Sequence, residues 1–224
     1  MTVSPRRIAY LAVSADGLIA DRHGQVGWLE RFGGAADFGF DDFVAHIDAL
    51  LMGRRTFDQI TAFGGAWPYG ARPTLVLTHR PLAPNAPASA RGAGEEDVTQ
   101  ALLGAPGRIW IVGGGETLAF CLRRGLVDEL QLFVMPILLG EGAPLTGRLH
   151  KNVDLILART ETLARGVTKL TYTVDAKAAA HHAEAAADTP PPETAPSQSA
   201  PANAATDREA LAPYPPEANA EQDA

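Results

Sequence analysis

The sequence predicts an α/β layer fold, with a mostly parallel sheet flanked by helices and an antiparallel pair of strands at one edge. Three observations predict it. Short apolar runs alternate with helical stretches from residue 8 to residue 135. Most of these runs are continuously apolar, as expected of strands covered on both faces. Beyond Met135 two further strand-like runs, residues 153–161 and 167–174, follow each other with no helix between them. That is the pattern of a closing hairpin.

The first strand is residues 8–13, ended by Ser14, Asp16 and Gly17. A glycine-rich loop follows through Gly24, Gly27, Gly33 and Gly34, and it contains Trp28. Phe40, Phe43, Val44 and Ile47 then recur at the spacing of an amphipathic helix. Asp37, Asp41 and Asp42 lie near its start, where a negative charge favours the helix dipole. Residues 49–52 make a second buried strand, and a short helix runs from Arg54 to Ala62. The third strand is residues 73–78, followed by a loop over 81–94 that contains Pro81, Pro84 and Pro87. A helix is expected over 95–103, a strand over 108–112, and a helix to Arg124 with Gly125 as its C-terminal cap. Residues 128–135 form the fifth strand. In the terminal hairpin Leu170, Tyr172 and Val174 alternate with Thr171 and Thr173, so one face is half exposed.

Composition divides the chain into a domain over 1–175 and a tail over 176–224. The tail is nearly all Ala, Pro and polar residues, and Leu211 and Tyr214 are its only large apolar side chains. Such a segment buries too little apolar area to offset ordering entropy of roughly 1–2 kcal/mol per residue, so disorder is expected. It holds eight acids and two bases, a balance of −6 within the chain's −7. The remaining body is near neutral, which argues against a nucleic-acid partner. The tail's His181 and His182 offer at most an incidental metal contact, and no metal is expected. Cys121 is the only cysteine and stands among apolar neighbours, which reads as a buried, inert thiol. The first apolar run is too short and too interrupted for a signal peptide or a membrane span. A cytoplasmic location without membrane partners is therefore expected.

Chemistry gathers at three strand ends. Gly53, Arg54, Arg55 and Thr56 follow the second strand. Thr78, His79 and Arg80 follow the third. Gly113, Gly114, Gly115, Glu116, Thr117 and Leu118 follow the fourth. Ligands of such sheets bind at the carboxyl ends of strands. A helix start offers unpaired N–H donors and a partial positive charge, and glycine lets a phosphate come close. Arginines at a helix start are mildly unfavourable unless an anion is present, and they grip phosphates by charge-assisted hydrogen bonds. A glycine turn between two basic clusters points to a dinucleotide with an extra phosphate, NADPH rather than NADH. The spacing is not that of the Rossmann fingerprint.

These segments also carry a resemblance. LMGRRTF (51–57), LVLTHR (75–80) and IWIVGGGE (109–116) resemble the cofactor-binding segments of dihydrofolate-reductase-like proteins, in the same order. SADGLIA (14–20), LVDEL (126–130) and PILLGEGAPL (136–145) are similar to one branch. That branch is the reductase domain of the bifunctional riboflavin-biosynthesis deaminase–reductase and its stand-alone relatives. The resemblance covers about residues 6–175 and implies a dihydrofolate-reductase-like three-layer sandwich. It implies that the three strand-end segments hold NADPH and that Ala12 and Ile19 touch the nicotinamide. It implies Asp37 or Asp16 as the acid that orients substrate or relays a proton, with Trp28 and Phe40 as pocket walls. Helix capping is the plain alternative for Asp37, and core packing for Phe40. Trp67 and Tyr69 form either a loop over the cleft or a packed turn. A homodimer is implied as well.

The expected function is an NADPH-dependent reductase of a small heteroaromatic or carbonyl substrate, related to 5-amino-6-(5-phosphoribosylamino)uracil reductase. Dihydrofolate reduction is a narrower alternative. The long glycine-rich segment between Asp16 and Asp37 departs from true dihydrofolate reductases, and the deaminase zinc signature is missing. A non-catalytic nucleotide-binding interaction module is the alternative from another class.

Overall fold

A computed structural model of the chain describes residues 7–33 and 38–174. Asp37, the histidine pair and the tail lie outside the described residues. The elements run β1 (Arg7–Ser14), β2 (Leu18–Asp21), α1 (Phe40–Ala45), β3 (Ala49–Gly53), α2 (Arg54–Ala62) and β4 (Thr74–Leu77). They continue with β5 (Ala90–Ala93), α3 (Glu95–Gly104), β6 (Ile109–Gly113), α4 (Gly115–Arg123) and β7 (Glu129–Met135). The last are β8 (Gly142–Pro144), β9 (Leu155–Thr162) and β10 (Thr168–Val174).

Eight strands form one sheet in the order β5-β4-β3-β6-β1-β7-β10-β9, and β2 pairs with β8 in a small second sheet. Pairings from β5 through β7 are parallel, and β10 is antiparallel to both β7 and β9. This is the expected α/β sandwich, with the antiparallel pair at one edge.

Side-chain alternation along the central strands builds a core on each face. Ala9, Leu11 and Val13 of β1, Leu51 of β3 and Ile111 of β6 point to the side of α3 and α4, against Val98, Leu102, Leu118 and Cys121. Ile8, Tyr10 and Ala12, with Met52 and Trp110, point to the side of α1 and α2, against Phe43 and Phe57. Continuous apolar runs were needed because both faces are covered. Ile8, Leu51 and Ile111 are fully buried, each a burial of about 1.5–3 kcal/mol.

Three short strands lie outside the runs that read as strands. Among the described residues β2 and β8 pair only with each other, and β5 adds a sheet edge through Ala-Arg-Gly-Ala. None has the apolar run or alternation that marks a strand in sequence. Their pairing is decided by what lies beside them. α4 ends as expected. Gly125 adopts a left-handed φ of 64°, its N–H donates to Leu122, and the Leu126 N–H donates to Cys121.

Candidate functional site

The strand order places β4, β3, β6 and β1 side by side and parallel. Their carboxyl ends, and the loops that leave them, therefore share one edge of the sheet. Helices α2, α3 and α4 begin at this edge. Their N-caps are Gly53, Gly94 and Gly114, and none carries a side-chain cap bond. First-turn N–H groups without caps give the edge a concentration of donors and positive potential.

Direct contacts join the predicted segments. The Gly114 N–H donates to Thr56 Oγ1 at 2.9 Å. A Cβ on Gly53 would lie 2.5 Å from Thr117 Oγ1, so the start of α2 lies against the buried Thr117 of α4. Arg54 donates through Nε to both carboxylate oxygens of Asp58 (2.7 and 2.9 Å). Its Nη1 donates to the carbonyls of Arg80 (3.4 Å) and Pro81 (2.9 Å). Thr78 Oγ1 accepts the Arg80 N–H at 3.1 Å, which shapes the turn. Arg54 thus ties α2 to the loop after β4. Arg55, His79 and Arg80 are exposed. Among the described residues, the Arg55 and Arg80 guanidinium groups make no ion pair or hydrogen bond, so both are available to an anion.

The loop over residues 142–147 roofs the start of α4. Gly147 donates to the Gly115 carbonyl at 3.0 Å, and a Cβ on Gly115 would lie 2.5 Å from the Pro144 carbonyl oxygen. Gly147 lies directly against the Glu116 carboxylate. The sequence reading named Gly115 and Glu116 but missed Pro144 and Gly147. Repeated glycines at 140, 142 and 147 were the available signal.

Asp16 locks the β1–β2 turn to the loop after β7. Its carboxylate accepts the Ser14 hydroxyl at 2.5 Å and the backbone N–H groups of Leu139 (3.1 Å) and Gly140 (2.7 Å). Ser14 Oγ in turn accepts the Leu18 N–H at 2.9 Å. The bond from Ser14, then those from Gly140 and Leu139, lower the Asp16 pKa to about 2. An ionised carboxylate so engaged is an acceptor and not a proton donor at neutral pH.

A partly open stretch of the sheet face lies beside these loops. Ala12 and Val112 are only partly buried although they stand on central strands, on the α1 and α2 face. A Cβ on Gly114 would lie 3.6 Å from Ile19 Cδ1, which places Ile19 at the same end. Phe40 packs edge-on to Trp110 (5.5 Å between centroids) and near Tyr10 (6.1 Å). Trp28 packs on the same cluster, and its buried indole N–H has no hydrogen-bond partner among the described residues. Trp67 and Tyr69 form a packed turn through Phe57 and Trp110. Cys121 is fully buried, which pushes its thiol up to about 12, so it remains an unreactive thiol. Among the described residues no His/Cys/Asp/Glu group could hold a metal, and no helix is long and apolar enough to cross a membrane.

Fold and site together define a dihydrofolate-reductase-like α/β domain. Residues 69–169 match the family described as the RibD C-terminal domain. The uncharacterized protein YwjB of Bacillus subtilis is 30% identical over 164 residues, covering 72% of this chain and 94% of that protein. The crystal structure of a putative riboflavin biosynthesis protein from Shewanella sp. PV-4 superposes with a TM-score of 0.67 at 30% identity. It covers 76% of this chain and 99% of that one. Dihydrofolate reductase from Enterococcus faecalis superposes with a TM-score of 0.54 at 18% identity, over 76% of this chain and 96% of that one. At that identity the likeness is one of fold. The chain belongs to the RibD C-terminal domain family.

Proposed function

We propose that the chain is an NADPH-dependent reductase of a small heteroaromatic or carbonyl substrate, with an aminopyrimidine carrying a phosphoribosyl group as the leading candidate. The observation that carries this reading is the convergence of three strand-end loops beside a partly open sheet face. The Gly114–Thr56 bond and the Arg54 bonds to the loop after β4 hold those loops together. The Enterococcus dihydrofolate reductase, of the same fold, was crystallised with NADP(H). Family membership and the relative from riboflavin biosynthesis support a reductase-type activity.

The residues present fit the coenzyme. Gly115 lies where a side chain would strike the Pro144 carbonyl, and the first turns of α2 and α4 carry no side-chain caps. Gly53, Thr56 and residues 113–118 would hold the pyrophosphate. Arg55 and Arg80, with Thr78 and His79, would take the ribose phosphate. Arg54 would position their loops. Ala12 and Ile19 would face the nicotinamide, with Trp28 and Phe40 walling the substrate. Bound NADPH supplies a hydride. Asp16 would keep the β1–β2 turn in place. Of the two acids, Asp37 is left to orient the substrate or relay a proton.

Titration with NADPH and NADH, followed by tryptophan fluorescence, tests the reading. NADPH is expected to bind about tenfold or more tightly than NADH, because paired charge-assisted bonds to the extra phosphate are strong. Equal affinities, or no binding, would overturn it. Binding without NADPH oxidation across aminopyrimidines and dihydrofolate would favour the non-catalytic alternative.

A further inference from the structure

Lys169 lies on β10, far in sequence from the three strand-end loops. It pairs with Phe133 of β7, and Phe133 pairs with Ala12 of β1, so the three form one row across the sheet. Adjacent strands are about 4.8 Å apart, which puts the Lys169 backbone roughly 10 Å from that of Ala12. The side chain lies on the face that carries this partly open stretch. Its ammonium is 5.2 Å from the Phe133 ring centroid and 5.8 Å from that of Tyr10. Both rings belong to the core that includes Ala12 and Val112, and Phe38 packs against Phe133 beside α1.

Among the described residues no acid neutralises this cation. Its cross-strand neighbour on β9 is Glu161, whose carboxylate is bound by Arg159 at 2.9 Å. Burial pushes the Tyr10 phenol up, so Tyr10 stays neutral and supplies no counter-charge. Among the described residues no carboxylate lies within 4.0 Å of the Lys169 ammonium. A lysine that only covers apolar surface extends its charged end to open water. Here the ammonium lies over two rings of the core against which Ala12 and Val112 pack, with the ring faces as its partners. Lys169 is a partly buried residue, and a lysine there with no carboxylate beside it among the described residues is an unfavourable choice for packing alone.

We propose that Lys169 is the substrate-recognising cation of this sheet face and takes an acidic group, a phosphate or a carboxylate, of a ring-bearing substrate. The proposal rests on the reductase reading and extends it to the substrate's charge. A phosphate ester and a side-chain carboxylate offer the same chemistry to an ammonium, and the test separates them.

The full chain, with and without NADPH, is titrated calorimetrically with three probes. These are 5-amino-6-(5-phosphoribosylamino)uracil, its phosphate-free nucleoside and dihydrofolate. Wild type is compared with Lys169→Met, which keeps the apolar stem, and Lys169→Arg, which keeps the charge, and thermal melts verify folding. At least one acid-bearing probe is expected to bind wild type and to bind Lys169→Met about tenfold or more weakly, as for a lost charge-assisted bond. Lys169→Arg should recover most of that affinity. The nucleoside and NADPH should bind all three proteins alike. The acid-bearing probe that responds identifies phosphate or carboxylate as the group read. Acid-bearing probes that bind Lys169→Met as tightly as wild type, or that bind neither, overturn the proposal. The two readings fail separately: a wild type that binds no NADPH sinks the reductase assignment, whereas NADPH binding with unresponsive Lys169 variants sinks this one alone.

Discussion

At the scale of single residues, two groups named from sequence for chemistry hold the site in shape. Arg54 is engaged by Asp58 and by two carbonyls of the loop after β4. Asp16 accepts one hydroxyl and two backbone N–H groups. Sequence named both as candidate site residues, and their hydrogen-bond partners lie up to 124 residues away. No local pattern reports such a partner. The Asp16 carboxyl is lowered from 3.8 to about 2 in the folded chain. A lowered acid stabilises the fold above its unfolded pKa, and the contribution is lost as pH falls through the folded value. Asp16→Asn is therefore expected to lower Tm by a constant amount above about pH 5, and the difference should shrink from about pH 4 towards pH 2. A pH-independent difference would refute an ionised Asp16 clamp.

At the scale of elements, close approach of α4 to the loop over 142–147 decides the shape of the glycine turn. Gly115 permits that approach because it has no Cβ. Alanine there would set a carbon 2.5 Å from the Pro144 carbonyl, a backbone atom that cannot rotate aside. Gly104, at the end of α3, has open space around its Cβ position. Gly115→Ala is expected to cost about 1–3 kcal/mol and to weaken NADPH binding. Gly104→Ala should be neutral or slightly stabilising. Thermal melts with NADPH titration check the pair, and equal behaviour would deny the tight contact. The three-glycine turn was legible because it joins an apolar run to a helical one. The roof above it was not, since β8 has neither an apolar run nor alternation.

At the scale of the molecule, β9 leaves one side of the sheet open. Among the described residues it pairs only with β10, and Leu155, Ile156 and Leu157 are 41%, 54% and 54% exposed. An edge strand of that composition favours pairing with another strand. A second copy fits it, because an antiparallel edge is self-complementary about a two-fold axis. Sedimentation is expected to give a dimer for the wild type and a monomer for Ile156→Lys with NADPH affinity retained. A monomeric wild type would refute this.

The sequence by itself determined the α/β class, the order of the main elements, the buried Cys121 and the three strand-end segments. All of these follow from local periodicity and turn chemistry, and local patterns are written along the chain. Only the tertiary structure decided which arginine is tied down, which glycines face a carbonyl, that β2 and β8 pair, and that Lys169 shares a row with Ala12. Those facts depend on strand order and register, which bring together residues distant in sequence.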